Sequence, residues 1–239
     1  MRPPGAITVN SAMNHRFCSR PIFCAAVLAS ICPMVLAKAE SAPQHAPGGK
    51  FTVAVYCASS DRPDPKYAAA AERLGTELGR HGWALVYGGS SRGLMGAYAR
   101  GAKAAGAHVT GVLTDAVRSS EVANRNADEL LTAPNMRERK ATFQARANAF
   151  LILPGGTGTA DELFDTLQLK LIGQLNQPII LFNQDGYYDS LLAFLDHCIQ
   201  EKFSRDTIRE RYAVARTETE VMLLLEKASR EAQQRNTGP

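Results

Sequence analysis

"FLILPGGTGTADELFDTL", residues 150–167, decides how this chain is read. The opening apolar residues read as a buried strand. Pro154 and three glycines then turn the chain, and from Thr159 onward helical spacing sets in, with Asp161 and Glu162 in the first turn. A strand feeding a helix through a glycine turn is one half of a β-α-β unit. A helix N-terminus carries unpaired N–H groups and partial positive charge, so Gly155-Gly156-Thr157-Gly158-Thr159 reads as a phosphate cradle. Glycine content alone fits a tight turn needing positive φ equally well. The two acids raise the question, because carboxylates repel a phosphate. One is explained as a complement to the helix dipole. Two are not, and one of them fits a carboxylate facing a positively charged atom, such as a sugar carbon during bond breakage.

Outward from this unit the alternation continues. Strands are expected at Phe51–Tyr56, "WALVYGG" from Trp83, "HVTGVL" from His108, "FLILPGG", "PIILFN" from Pro178, and "RYAVAR" from Arg211. Helices are expected over 65–81, 93–106, 135–149, Thr159–Gly173, Tyr188–Glu201 and 217–232, with 114–134 left as a looser stretch. Strands that are nearly all apolar and alternate with helices give the fold class: α/β, a doubly wound, Rossmann-like parallel sheet with helices on both faces, in a single domain. Ligands in such sheets sit beyond the carboxyl ends of the strands, where both glycine turns, 88–89 and 155–158, fall.

The chain has 239 residues, 45% hydrophobic and 21% charged, which suits one domain with something added. A net charge of +4 on scattered basic residues argues against nucleic acid as a partner. No segment is a convincing membrane span. Of five cysteines, Cys57 and Cys198 lie far apart in the folded part and read as free thiols. No Cys/His spacing suggests a metal. Residues 1–49 read as a leader and linker. His15, Arg16 and Arg20 precede an apolar run from Pro21 to Ala37, and Ala37-Lys38-Ala39 fits signal peptidase. Export to the periplasm or medium is slightly preferred. The alternative is an upstream stretch wrongly included, with translation starting at Met34 and a cytoplasmic protein; Met1 and Met13 both stay open as starts that keep the signal. Residues 50–226 read as the working domain and 227–239 as a helix end with a polar tail.

The segment "NMRERKATFQARANAF" complements the glycine turn. Met136, Phe143, Ala147 and Phe150 mark an apolar stripe, and Arg139 and Lys140 fall within or beside it. Either both snorkel to solvent or they meet an anion, for which a phosphate or Glu162 would serve. Arg137 and Arg146 are expected to face outward. "YGGSSRGLMGA", from Tyr87, does not match G-x-G-x-x-G, and Cys57-Ala58-Ser59-Ser60 after the first strand holds no glycine, so hydride transfer is disfavoured.

Together "PGGTGTADE", "YGGSSRGLMG", "MRERKA", "GVL" and "FNQDGYYDSLL" resemble the Lonely Guy family of cytokinin riboside 5′-monophosphate phosphoribohydrolases, often labelled lysine decarboxylases, over about residues 51–223. The resemblance implies a hydrolase that cleaves the N-glycosidic bond of nucleoside 5′-monophosphates to free base and ribose 5-phosphate. It implies a homodimer with no cofactor and no metal. It places the catalytic pair on Arg139 and Glu162. Substrate contacts fall on Lys140, Glu121, Asp161 and Ser60, on the glycine turn Gly88-Gly89, and on Gly155, Gly156, Thr157, Gly158 and Thr159. Three departures stand out: Arg137 replaces a His, Gln168-Leu169 replaces Thr-Trp, and Thr114 ends "GVLT" where Pro is usual. The alternative reading is a nucleotide- or molybdenum-cofactor carrier without turnover. A deoxyribosyl transferase would need a nucleophilic carboxylate instead.

Overall fold

The computed structural model describes residues 49–115 and 123–237. Seven strands form one all-parallel sheet: β1 Thr52–Tyr56, β2 Ala84–Tyr87, β3 Val109–Thr114, β4 Glu129–Ala133, β5 Ala149–Ile152, β6 Ile179–Phe182 and β7 Ala213–Ala215. Their spatial order is β4-β3-β2-β1-β5-β6-β7. The order reverses between β1 and β5, and a crevice opens beyond their carboxyl ends at such a reversal.

Among the described residues six α-helices cover the sheet: α1 Pro65–Arg80, α2 Gly93–Ala104, α3 Met136–Arg146, α4 Thr157–Leu171, α5 Asp189–Gln200 and α6 Glu218–Thr237. Side chains alternate across each strand, so one sequence feeds two cores. Val53, Val55, Leu85 and Tyr87 pack with Leu74, Leu78, Tyr98 and Leu225 of α1, α2 and α6. Ala54, Tyr56, Val86 and Ile152 pack with Phe143, Leu163, Leu167 and Leu195 of α3, α4 and α5. Burying both faces is what makes the central strands continuously apolar.

The expected alternation holds, with four corrections. The stretch 114–134 contains an additional strand, β4. It is an edge strand with Leu130 exposed, so it lacks the unbroken apolar run that marks the inner strands. Helix α3 stops at Arg146, and Phe150 belongs to β5 rather than to the helical stripe. Helix α4 begins at Thr157, two residues early, which moves Asp161 and Glu162 out of its first turn. Helix α6 runs on to Thr237. The leader expectation for residues 1–48 lies outside the described residues. Among those described, no helix is long and apolar enough to cross a membrane.

Candidate active site

The cleft beyond β1 and β5 has a volume of about 350 Å³. Cys57–Ser60, following β1, form one wall, and Gly156–Thr159 with Glu162 form another; Met95, Met136 and Arg139 complete it.

The local sequence explains how Arg139 arrives there. Asn135 caps α3, its side-chain oxygen accepting from the Glu138 N–H at 2.9 Å. The cap starts the helix at Met136 and puts Arg139 and Phe143, four residues apart, on its inner side; they are the buried residues of α3. Arg139 is only 4% exposed, as is Glu162. The guanidinium donates to the Glu162 carboxylate at 2.8 Å, to the Val112 carbonyl at 2.8 Å and more weakly to the Gly88 carbonyl at 3.4 Å. It also stacks over the Phe143 ring, 4.9 Å from the centroid. Four elements therefore fix one side chain. A buried charge is tolerated only when paired and bonded in this way.

Glu162 is held from below as well. Its backbone carbonyl accepts from the Thr166 hydroxyl at 2.8 Å, and that hydroxyl sits 3.2 Å from the Tyr56 phenol. Burial first, then the Glu162 charge, push the Tyr56 phenol far above its usual range. Tyr56 therefore remains a protonated donor under the turn that carries Glu162.

The glycine turn needs no positive φ at Gly155, Gly156 or Gly158. The tight-turn explanation for these glycines thus fails. A side chain on Gly155 would collide with Thr159, whereas Cβ atoms on Gly156 or Gly158 would meet nothing within 4 Å. What glycine provides at 156 and 158 is bare backbone facing open space at a helix N-terminus. The two acids also lose their dipole explanation, because that effect fades beyond the first turn.

The second glycine turn serves differently. Gly88 and Gly89 do not line the cleft. A Cβ on Gly88 would lie 2.7 Å from the Arg139 guanidinium, so glycine there makes room for the buried cation from behind. Helix α2, which follows, is already supplied with an anion. Asp61 accepts from the Gly93 N–H at 2.7 Å and from Arg92 at 2.8 Å. Of the two glycine turns, only the N-terminus of α4 faces the cleft with open backbone.

The other expected site residues divide. Ser60 lines the cleft. Lys140 does not: it pairs with Asp161 at 3.0 Å and Asp165 at 3.1 Å, behind the wall. Burial opposes its charge, but those two acids outweigh it and raise its pKa. Asp161 is thereby engaged too. Glu121 lies outside the described residues. Met136 stands at the cleft wall, 38% exposed, rather than in the core. Arg146, expected outward, is half-buried and bonded to Glu129 of β4 at 2.6 Å. Cys57, Ala58, Ser59 and Met95 are cleft residues that the sequence did not single out. Their signal was the position of the 57–60 segment after the central strand. Among the described residues no acid, His and Cys cluster could hold a metal.

Fold and cleft together define a Rossmann-like α/β protein with an anion-ready turn beside a buried Arg–Glu pair. A family model described as "Possible lysine decarboxylase" matches residues 95–225. The chain is 37% identical over 175 residues to the cytokinin riboside 5′-monophosphate phosphoribohydrolase LOG3 of Arabidopsis thaliana, covering 73% of this chain and 81% of the relative. It is 39% identical over 166 residues to the enzyme of that name from Mycobacterium tuberculosis, covering 70% and 88%. The chain belongs to this Lonely Guy family. Among solved structures, the molybdenum cofactor carrier protein of Chlamydomonas reinhardtii superposes with a TM-score of 0.58 at 21% identity, over 76% of this chain and 98% of the other, a likeness of fold.

Proposed function

We propose that this chain hydrolyses the N-glycosidic bond of nucleoside 5′-monophosphates, releasing a free base and ribose 5-phosphate. The observation that carries the reading is the buried Arg139–Glu162 pair, 2.8 Å apart, on the same cleft as the open helix N-terminus at Gly156–Thr159. The 5′-phosphate binds the first-turn N–H groups of α4, which anchors the end of the substrate remote from the reacting bond. The ribose then spans toward Glu162. As the bond from C1′ to the base nitrogen breaks, both electrons leave with the base and positive charge builds on the sugar. The Glu162 carboxylate stabilises that charge and orients a water for addition to C1′. The water's proton ends on the departing base. Arg139 holds the carboxylate in place and offsets the cost of burying it. The family's decarboxylase label finds no support in the cleft, whose lining among the described residues contains no lysine.

Incubation of the chain with AMP tests this: adenine and ribose 5-phosphate should appear together. Intact AMP at the end, with the nucleotide bound, would favour the carrier reading instead.

Homodimerisation is supported by the exposed Phe164, Ile172, Phe194 and Phe203 on and around α4 and α5. Export is supported by the basic, apolar and small-residue pattern of residues 15–39. With residues 50–226 as the working domain, a chain lacking residues 1–40 should keep full turnover and elute as a dimer. Loss of activity on truncation would contradict that division.

A further inference from the structure

At the other end of the strands from the cleft lies a hollow of about 200 Å³, where β6 and β7 begin. Ile180, Ala213, Leu224 and Ala228 give it apolar walls; Lys170 and Arg211 bring two cations to it, beside a third, Lys227, which faces Glu231. Lys170, in the last turn of α4, donates to the Gln177 carbonyl at 2.6 Å. The Arg211 Nε is buried without a hydrogen-bond partner. Among the described residues neither cation has a carboxylate within ion-pair distance. Glu231, which also lines the hollow, faces Lys227 at 4.0 Å, and Glu210 is exposed at its edge. Burial, then the nearby Arg211 charge, hold the Lys170 ammonium below its usual pKa.

Two neighbouring cations that pair with no carboxylate, one with an orphaned buried donor, are costly unless something of opposite charge joins them. We propose that this hollow binds a small doubly charged oxyanion, phosphate or a phosphomonoester, between Arg211 and Lys170. A guanidinium fork and a point ammonium are the pair of donors that such a group engages best. The site is separate from the nucleotide cradle. Helix α4 carries the cradle at its first turn and Lys170 at its last, and its 15 residues span roughly 22 Å.

Amide-resolved NMR of the full chain, titrated with inorganic phosphate at constant ionic strength, tests the proposal. Ile180, Tyr212 and Ala213 should shift saturably, independently of Gly156 and Gly158. In the Lys170→Gln and Arg211→Gln variants that response should weaken tenfold or more while the glycine-turn response stays. Arg211→Lys, which keeps the charge, should fall between. Acetate, singly charged, should bind at least tenfold more weakly than phosphate. No saturable shift at the start of β6 and β7, an equal shift in the Gln variants, or equal binding of acetate would overturn the site. A response there without one at Gly156 and Gly158 would support this site and count against the nucleotide reading.

Discussion

At the scale of single residues, the account turns on Glu162 and Arg139. Glu162→Gln keeps the shape and removes the charge. Turnover of AMP should fall a hundred- to thousandfold, about 2.7–4 kcal/mol, with AMP still bound. Near-normal turnover would remove Glu162 from the chemistry. Arg139→Lys keeps the charge and loses the fork. One ammonium cannot serve Glu162, Val112 and Gly88 in the geometry that the guanidinium does. Turnover should drop tenfold or more, roughly 1.4 kcal/mol or above, with the circular dichroism unchanged. Wild-type kinetics in that variant would contradict the assignment. In the sequence both residues stood out without being decided: a charged side chain where the α3 stripe asks for leucine could snorkel or meet an anion, and two acids beside a glycine turn left open which one faces the sugar. Lys140 was less legible. Spacing placed it next to Arg139, but its partners Asp161 and Asp165 come from another helix, and only the packing of α3 against α4 brings them together.

At the scale of elements, the inner strands were readable because burial on both faces makes them uniformly apolar. β4 was not, because an edge strand has one neighbour and a half-exposed pattern. Polar bonds hold that edge in place of apolar area. Glu129 is bound by Arg146 and by the Thr110 hydroxyl, and Asp128 by Lys103 and the Val109 N–H. The bond from Arg146 above all holds the Glu129 carboxyl below its usual pKa. Burial raises that of Asp128, but Lys103 and Val109 outweigh it and leave it lowered. A depressed folded-state pKa stabilises the fold above the unfolded value, and that stability is lost as pH falls through the folded one. The melting temperature should therefore hold near neutrality and decline below about pH 4. Glu129→Gln should be less stable at pH 7 and show a shallower decline. An acid profile identical to wild type would show that this edge does not carry the sensitivity. The start of α4 was misplaced for a related reason: glycines read as turn, yet Thr157 and Gly158 already have helical backbone and leave their N–H groups toward the cleft.

At the scale of the whole molecule, the order of strands decides where chemistry happens. The reversal between β1 and β5 brings Cys57–Ser60 and Gly156–Glu162 to one crevice, although about a hundred residues separate them in the chain. Fold class and the phosphate-ready turn were visible in sequence, since each depends on neighbours along the chain. The cleft wall at Met95 and Met136 was not, since it depends on which strands lie side by side. The central claim is that the α4 N-terminus and the buried carboxylate act on one molecule, the first holding a phosphate while the second faces the sugar. Comparing kcat/KM for AMP and adenosine tests this most directly. Two lost charge-assisted hydrogen bonds, at about 1.5 kcal/mol or more each, predict that adenosine is cleaved at least a hundredfold less efficiently. Equal values for the two substrates would contradict the account.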